Sequence, residues 1–138
     1  IRLGFRPNLE KHILKIKIAE APGRFKYQSV NTMLLGLVIK RTTGKHLAAY
    51  LEEKLWKPLG TESYATWNIV SKKRKMEIAS SAINATARDF AKLGRLFLKK
   101  GKWNNTQIVD SAWINTIASI DTMNIYGDYK NQWWSRKI

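Results

Sequence analysis

From Ser29 to Gly44 the apolar residues Val30, Met33, Leu34, Leu37 and Val38 recur at spacings of three and four. That is the period of a helix buried along one face, and it restricts this stretch more tightly than any other in the chain. Gly44 supplies the kind of residue at which such helices stop. Gly36 lies inside the pattern, where glycine costs about 1 kcal/mol relative to alanine, so its presence predicts close packing.

The flanking segments are also mostly helical in pattern. Leu9, Ile13, Leu14 and Ile16 to Ile18 predict a short first helix, closed before Ala21-Pro22-Gly23 because proline disfavours helical geometry in the residue before it. Leu47, Tyr50, Leu51 and Leu55 predict a helix that stops at Pro58, with Leu59-Gly60 as the turn. Thr61 to Ser81 is irregular and reads as a surface excursion. Thr86-Ala87-Arg88-Asp89 is a helix start with an acid three residues after the cap, followed by Phe90, Leu93, Gly94 and Phe97 on one face and Gly101 at the end. Trp103 to Val109 reads as two short extended pieces around a tight turn, and Asp110 as the cap of a last helix holding Trp113, Ile114 and Ile117. Trp56, Trp103 and Trp113 are expected as core or turn anchors. Asn131-Gln132-Trp133-Trp134 reads as the beginning of a buried strand.

No repeat or Pro/Gly/Ser-rich linker divides the 138 residues, which predicts a single, mainly α unit over 1–138. The hydrophobic content of 44% suffices for a core, yet no run approaches the ~20 apolar residues of a membrane span. Ile1 to Asn8 lacks the pattern of a signal peptide, so the start is expected to be processed, engineered or truncated. Cysteine is absent, and His12 and His46 stand far apart without carboxylates at ligand spacing, so neither metal nor other cofactor is expected. Nothing here sets an oligomeric state.

The 25 Lys+Arg against 10 Asp+Glu give +15, a charge that attracts nucleic acid, anionic lipid or acidic ligands. The cations are spread through the chain, however. The one dense run, Ser71 to Lys75, lacks the interleaved aromatics of a single-strand groove and reads as a solvated loop. No nucleic-acid partner is expected on that account. A basic, non-catalytic interaction or nucleic-acid-binding module stands as the alternative reading of function.

No Gly-rich phosphate loop, Gly-x-Ser-x-Gly elbow or specially spaced carboxylate pair occurs. The informative stretch is Pro22-Gly23-Arg24-Phe25-Lys26-Tyr27-Gln28-Ser29-Val30-Asn31, then Leu34-Leu35-Gly36, Thr43-Gly44-Lys45, Tyr50-Leu51 and Leu55-Trp56-Lys57-Pro58-Leu59-Gly60. With Ala65-Thr66-Trp67, Asn84 to Gly94, Gly101 to Asn105 and Ile108-Val109, these blocks resemble, in order and spacing, the class C β-lactamase-like serine hydrolases. That family includes penicillin-binding carboxypeptidases, esterases and 6-aminohexanoate-oligomer hydrolases, and the later blocks look most like its oligomer-hydrolase and esterase branch.

The resemblance implies the helical subdomain of a β-lactamase/transpeptidase-like α+β fold, with the family's antiparallel sheet built from outside this stretch. It implies hydrolysis of a small-molecule amide, ester or lactam through an acyl-serine, with a cell-envelope location. Tyr27 would be the tyrosine that shuttles protons between nucleophile and leaving group, and Ser29 the third residue of that motif, where many β-lactamases have asparagine. Trp67 and Trp133 could line a substrate cleft. The family's Ser-x-x-Lys and its Lys-Thr-Gly or His-x-Gly strand do not occur in these 138 residues. The chain is therefore expected to be a piece truncated at both ends and inactive alone. Each residue also has a plainer reading: Tyr27 as an amphipathic aromatic beside a helix, Ser29 as its N-cap, and Asn31, Arg88 and Asp89 as structural.

Overall fold

The computed structural model of the chain describes residues 9–17, 26–70, 73, 75–119 and 128–135. Two compact units are present, Ile1–Glu53 with Tyr64–Ala85, and Lys54–Ser63 with Thr86–Ile138. Helix outweighs strand among the described residues, and each two-stranded sheet is a local antiparallel pair.

The first unit is organised by the helix that the apolar period predicted. Helix α1 spans Leu9–Ile13 and α2 spans Ser29–Thr43. Met33 and Leu37 of α2 are 1% and 2% exposed, and with Ile13 and Met76 they make the core, flanked by Val30, Val70, Ile78 and Ala79. Burying side chains of this kind contributes about 1.5–3 kcal/mol each. Gly44 ends α2 at φ 69°, its N–H donating to the Lys40 carbonyl. At the other end the cap is Gln28, extended at φ −142°, and Ser29 already belongs to the helix. The expected N-cap role of Ser29 is thus corrected: its backbone is inside the first turn. Helix α1 also stops earlier than expected, in a turn at Leu14 and Lys15, and the Ala21-Pro22-Gly23 boundary lies outside the described residues.

Gly36 is a packing residue. A Cβ built there would stand 2.7 Å from Cβ of Ala79 and 3.0 Å from Cδ1 of Leu47. Gly36→Ala is therefore expected to destabilise the protein by about 1 kcal/mol net, because the overpacking exceeds the gain in helix propensity. A urea denaturation midpoint at or above that of the wild type would contradict this.

Helix α3, Leu47–Leu51, runs on through a π turn at Glu52–Trp56 toward Pro58. It lacks a side-chain cap of its own, and the Ala48 N–H is taken instead by Oε1 of Glu77 at 3.2 Å. Strands β1, Thr66–Trp67, and β2, Ile83–Asn84, pair antiparallel, with a further bridge between Ile69 and Glu77. The excursion expected to lie on the surface instead turns inward: Met76 and Glu77 are 7% and 4% exposed. Short alternating pieces at 68–70 and 76–78 zip together through Val70 N–H to Met76 O and Ile78 N–H to Asn68 O, which carries Met76 into the core. Ser71, Lys72 and Arg74 of the basic run lie outside the described residues.

In the second unit, α4 spans Ala87–Leu98, β3 Lys102–Trp103, β4 Thr106–Gln107 and α5 Ser111–Ala118. Thr86 caps α4 by accepting from the Asp89 N–H, and Asp110 caps α5 by accepting from Ala112 and Trp113. The turn between β3 and β4 places Asn104 and Asn105 at positive φ, the geometry that asparagine tolerates in two-residue hairpins. Gly101, at φ 80°, is obligatory, because a Cβ there would lie 1.9 Å from the Val109 carbonyl oxygen.

Three expectations change in this unit. The face of α4 turned inward carries Asp89 and Leu96, both 0% exposed, whereas Phe90 is 41% exposed and meets Trp56 edge-on at 6.3 Å. Trp56 is buried as expected, but Trp113 is 48% exposed and is not a core anchor. At the end of the described chain, β5 (Asp128–Lys130) and β6 (Trp133–Ser135) form a hairpin whose turn is Asn131-Gln132. Both turn residues have positive φ, so the strand begins at Trp133 rather than at Asn131, and Trp133 and Trp134 are 42% and 58% exposed.

Candidate active-site segment

Lys26, Tyr27 and Gln28 approach α2 without regular structure, and the helix begins one residue later at Ser29. The chain direction at this point is set by the extended Gln28, whose carbonyl accepts the Asn31 N–H at 3.0 Å. The first turn is anchored from behind by Val30 and Met33, which pack on the core, so the segment ahead of it rests on a fixed support. Tyr27 is 49% exposed, while Ser29 is half-buried. The short path between them puts both polar groups of Tyr27-Gln28-Ser29 at the same helix start.

Trp67 belongs to the same unit, in β1. Its indole N–H is shared between the carbonyls of Ile78 and Ser81, both at 3.0 Å, so it fastens the turn leading into β2. That turn contains Ala82 at φ 73°, a left-handed conformation that alanine adopts only at a cost of about 1–2 kcal/mol. The Asn68 N–H donates to the Ala82 carbonyl and helps to hold the strained residue in place. Trp133 is in the second unit, its ring 4.1 Å from that of Phe97. The structure therefore gathers Tyr27 and Ser29 at one helix start, and holds the two tryptophans in different units.

Sequence reasoning missed two charged clusters. In the first unit, buried Glu77 faces Nδ1 of His46 at 3.7 Å besides capping α3. In the second, Asp89 accepts from the backbone N–H groups of Glu62 at 2.8 Å and Ser63 at 3.1 Å and from the Thr86 hydroxyl at 2.9 Å. The backbone N–H of Glu62 is the main cause that holds the Asp89 carboxyl below its ordinary value, against the opposing effect of burial. Lys92 reaches Glu62, Asp89 and the Gly60 carbonyl, and Arg88 also pairs with Glu62. The Glu62 carboxyl is lowered chiefly by its hydrogen bond to Lys92 and then by Arg88. The helix-start acid at Asp89 was visible, but its partners come from a distant loop. Among the described residues no group of three or more His, Asp or Glu side chains could hold a metal ion, and no helix is long and apolar enough to cross a membrane.

A beta-lactamase family model matches residues 8–122. The chain belongs to the beta-lactamase family. It is 28% identical over 123 residues to the 6-aminohexanoate-dimer hydrolase of Paenarthrobacter ureafaciens, a match covering 81% of this chain and 31% of that protein. A putative D-alanyl-D-alanine carboxypeptidase of Escherichia coli is 36% identical over 64 residues, covering 46% of this chain and 14% of the relative. Among solved structures, a putative 6-aminohexanoate-dimer hydrolase from Bacillus anthracis is similar with a TM-score of 0.79 and 34% identity, covering 88% of this chain and 33% of that one. The family resemblance drawn from the ordered blocks is thereby borne out, including its lean toward oligomer hydrolases. This beta-lactamase family chain spans about a third of the length of the two 6-aminohexanoate-dimer hydrolases it matches.

Proposed function

We propose that this chain is the part of a serine hydrolase that carries the tyrosine element, in a protein that cleaves a small amide, ester or lactam through an acyl-serine. The observation that carries the reading is Tyr27-Gln28-Ser29 at the start of α2, half-exposed at the tyrosine, in a chain of the beta-lactamase family. The names of the relatives, a 6-aminohexanoate-dimer hydrolase and a putative D-alanyl-D-alanine carboxypeptidase, support cleavage of a bond between an amino and a carboxyl group, an amide, within that class. Tyr27 relays the proton between nucleophile and leaving group, and Ser29 completes its hydrogen-bond network. Trp67, in the unit that carries Tyr27, contributes to the wall of the substrate cleft, and the described helices form the helical part of the α+β family fold.

These 138 residues hold no Ser-x-x-Lys, so on this reading they do not form an acyl-enzyme alone. A family-length protein that contains them does. Incubation with a short-chain nitrophenyl ester, followed by acid quench and intact mass spectrometry, is expected to show one acyl adduct in the long protein and none in the 138-residue chain. Turnover by the long protein with no acyl-serine under rapid quench would remove the proposed mechanism.

A further inference from the structure

Between Phe90 and Val109 the chain has five cations, Lys92, Arg95, Lys99, Lys100 and Lys102, and no acidic residue. Lys92 is turned to Glu62 and Asp89, and the other four are exposed. All four lie within four residues of Leu98, which is 84% exposed at the end of α4, while Leu96 two residues earlier is 0% exposed on the inner face. Arg95, Leu98 and Lys99 share one helix face by their spacing of three and four, and Lys100 and Lys102 follow where the chain turns into β3. Cations at a helix C-terminus complement its dipole, which accounts for Arg95 and Lys99. It does not account for Lys102, which lies past the helix, or for a leucine left in water between Arg95 and Lys99 in the chain.

We propose that this corner of α4 and β3 docks on an anionic lipid bilayer, with Leu98 entering the interfacial region and Arg95, Lys99, Lys100 and Lys102 pairing with headgroup phosphates. An exposed apolar residue with exposed cations on either side of it in the chain matches an interface that is negative at its surface and apolar beneath it. Two features favour lipid over nucleic acid. The Arg95 guanidinium lies 5.0 Å from the ring centroid of Trp103 and covers the face on which a base would stack. Leu98, for its part, gains nothing from a sugar-phosphate backbone. The inference is independent of the proposed hydrolase activity.

The test is co-sedimentation of the 138-residue chain with phosphatidylcholine vesicles, with and without about one-third phosphatidylglycerol. Binding is expected to the anionic vesicles alone and to weaken as salt rises. Lys99→Gln combined with Lys102→Gln is expected to weaken it about 25-fold, at about fivefold for each cation, and Leu98→Ser about tenfold. Lys73→Gln with Lys75→Gln removes the same net charge elsewhere and is expected to change affinity by less than about threefold. All of these positions are exposed, and unchanged far-ultraviolet circular dichroism establishes that each variant is folded. The proposal is overturned if the control pair weakens binding as much as the α4 pair, if Leu98→Ser binds like the wild type, or if the chain prefers duplex DNA to the anionic vesicles at equal salt.

Discussion

Tyr27→Phe is expected to lower kcat for ester hydrolysis by roughly 10²–10⁴-fold in a family-length protein carrying this sequence, the range of a lost proton-transfer group. The size of the effect separates a proton relay from a mere wall of the site. Phenylalanine keeps the ring and removes only the hydroxyl, so substrate contact through the ring face survives while proton transfer does not. Because Tyr27 is 49% exposed and precedes α2 rather than packing in its core, the variant should unfold within about 0.5 kcal/mol of the wild type. KM is expected to move far less than kcat, since a group needed only as the proton moves contributes little to ground-state binding. Ser29→Ala should give a kcat between those of the wild type and Tyr27→Phe, because on the proposed reading Ser29 supports the relay, and it does not cap the helix. Equal turnover by the wild type and Tyr27→Phe would refute the role given to the phenol.

How far the sequence could be read depended on the distance over which each signal acts. The span and end of α2, the Thr86 cap of α4, the Asp110 cap of α5 and the Asn104-Asn105 turn all arise from residues within about one turn of each other. Each of those readings agrees with the structure. Contacts between distant segments were not legible. Glu77 caps α3 from 29 residues away, and its neighbour Met76 enters the core through a pairing too short to leave a strand pattern. Trp113 misled for a related reason: bulk predicts burial only on average, and Trp113 remains about half exposed. For the site, the motif at Tyr27 and the helix start that carries it were legible locally. What the motif does depends on partners that local patterning does not describe.

The second large effect concerns Asp89, where burial and charge meet. Its carboxylate is 0% exposed, accepts from two backbone N–H groups of the Glu62-Ser63 loop and from the Thr86 hydroxyl, and pairs within α4 with Lys92 at 3.6 Å. Asp89→Ala leaves the Glu62 and Ser63 donors without their acceptor, and Lys92 without one of its two carboxylates. The melting temperature is expected to fall by on the order of 10 °C. Asp89→Asn fills the same space but turns an NH₂ toward one of those donors, so it should fall nearly as far. The pH dependence carries the signature of the charge. The carboxyl is held below its ordinary value of 3.8, first by the Glu62 N–H, so the folded state binds its proton less readily than the unfolded state does. Its stabilisation is therefore complete above the ordinary carboxylate range and is lost as pH falls from about 4 through the lower folded-state value. Glu62, lowered by Lys92 and Arg88, acts in the same direction but is more than half exposed, so solvent screens most of its part. Urea midpoints measured from pH 7 downward should drop more steeply below about pH 4 for the wild type than for Asp89→Asn, the two curves converging as the carboxylate is protonated. Parallel curves would mean that Asp89 fills space and accepts hydrogen bonds without its charge contributing to the fold.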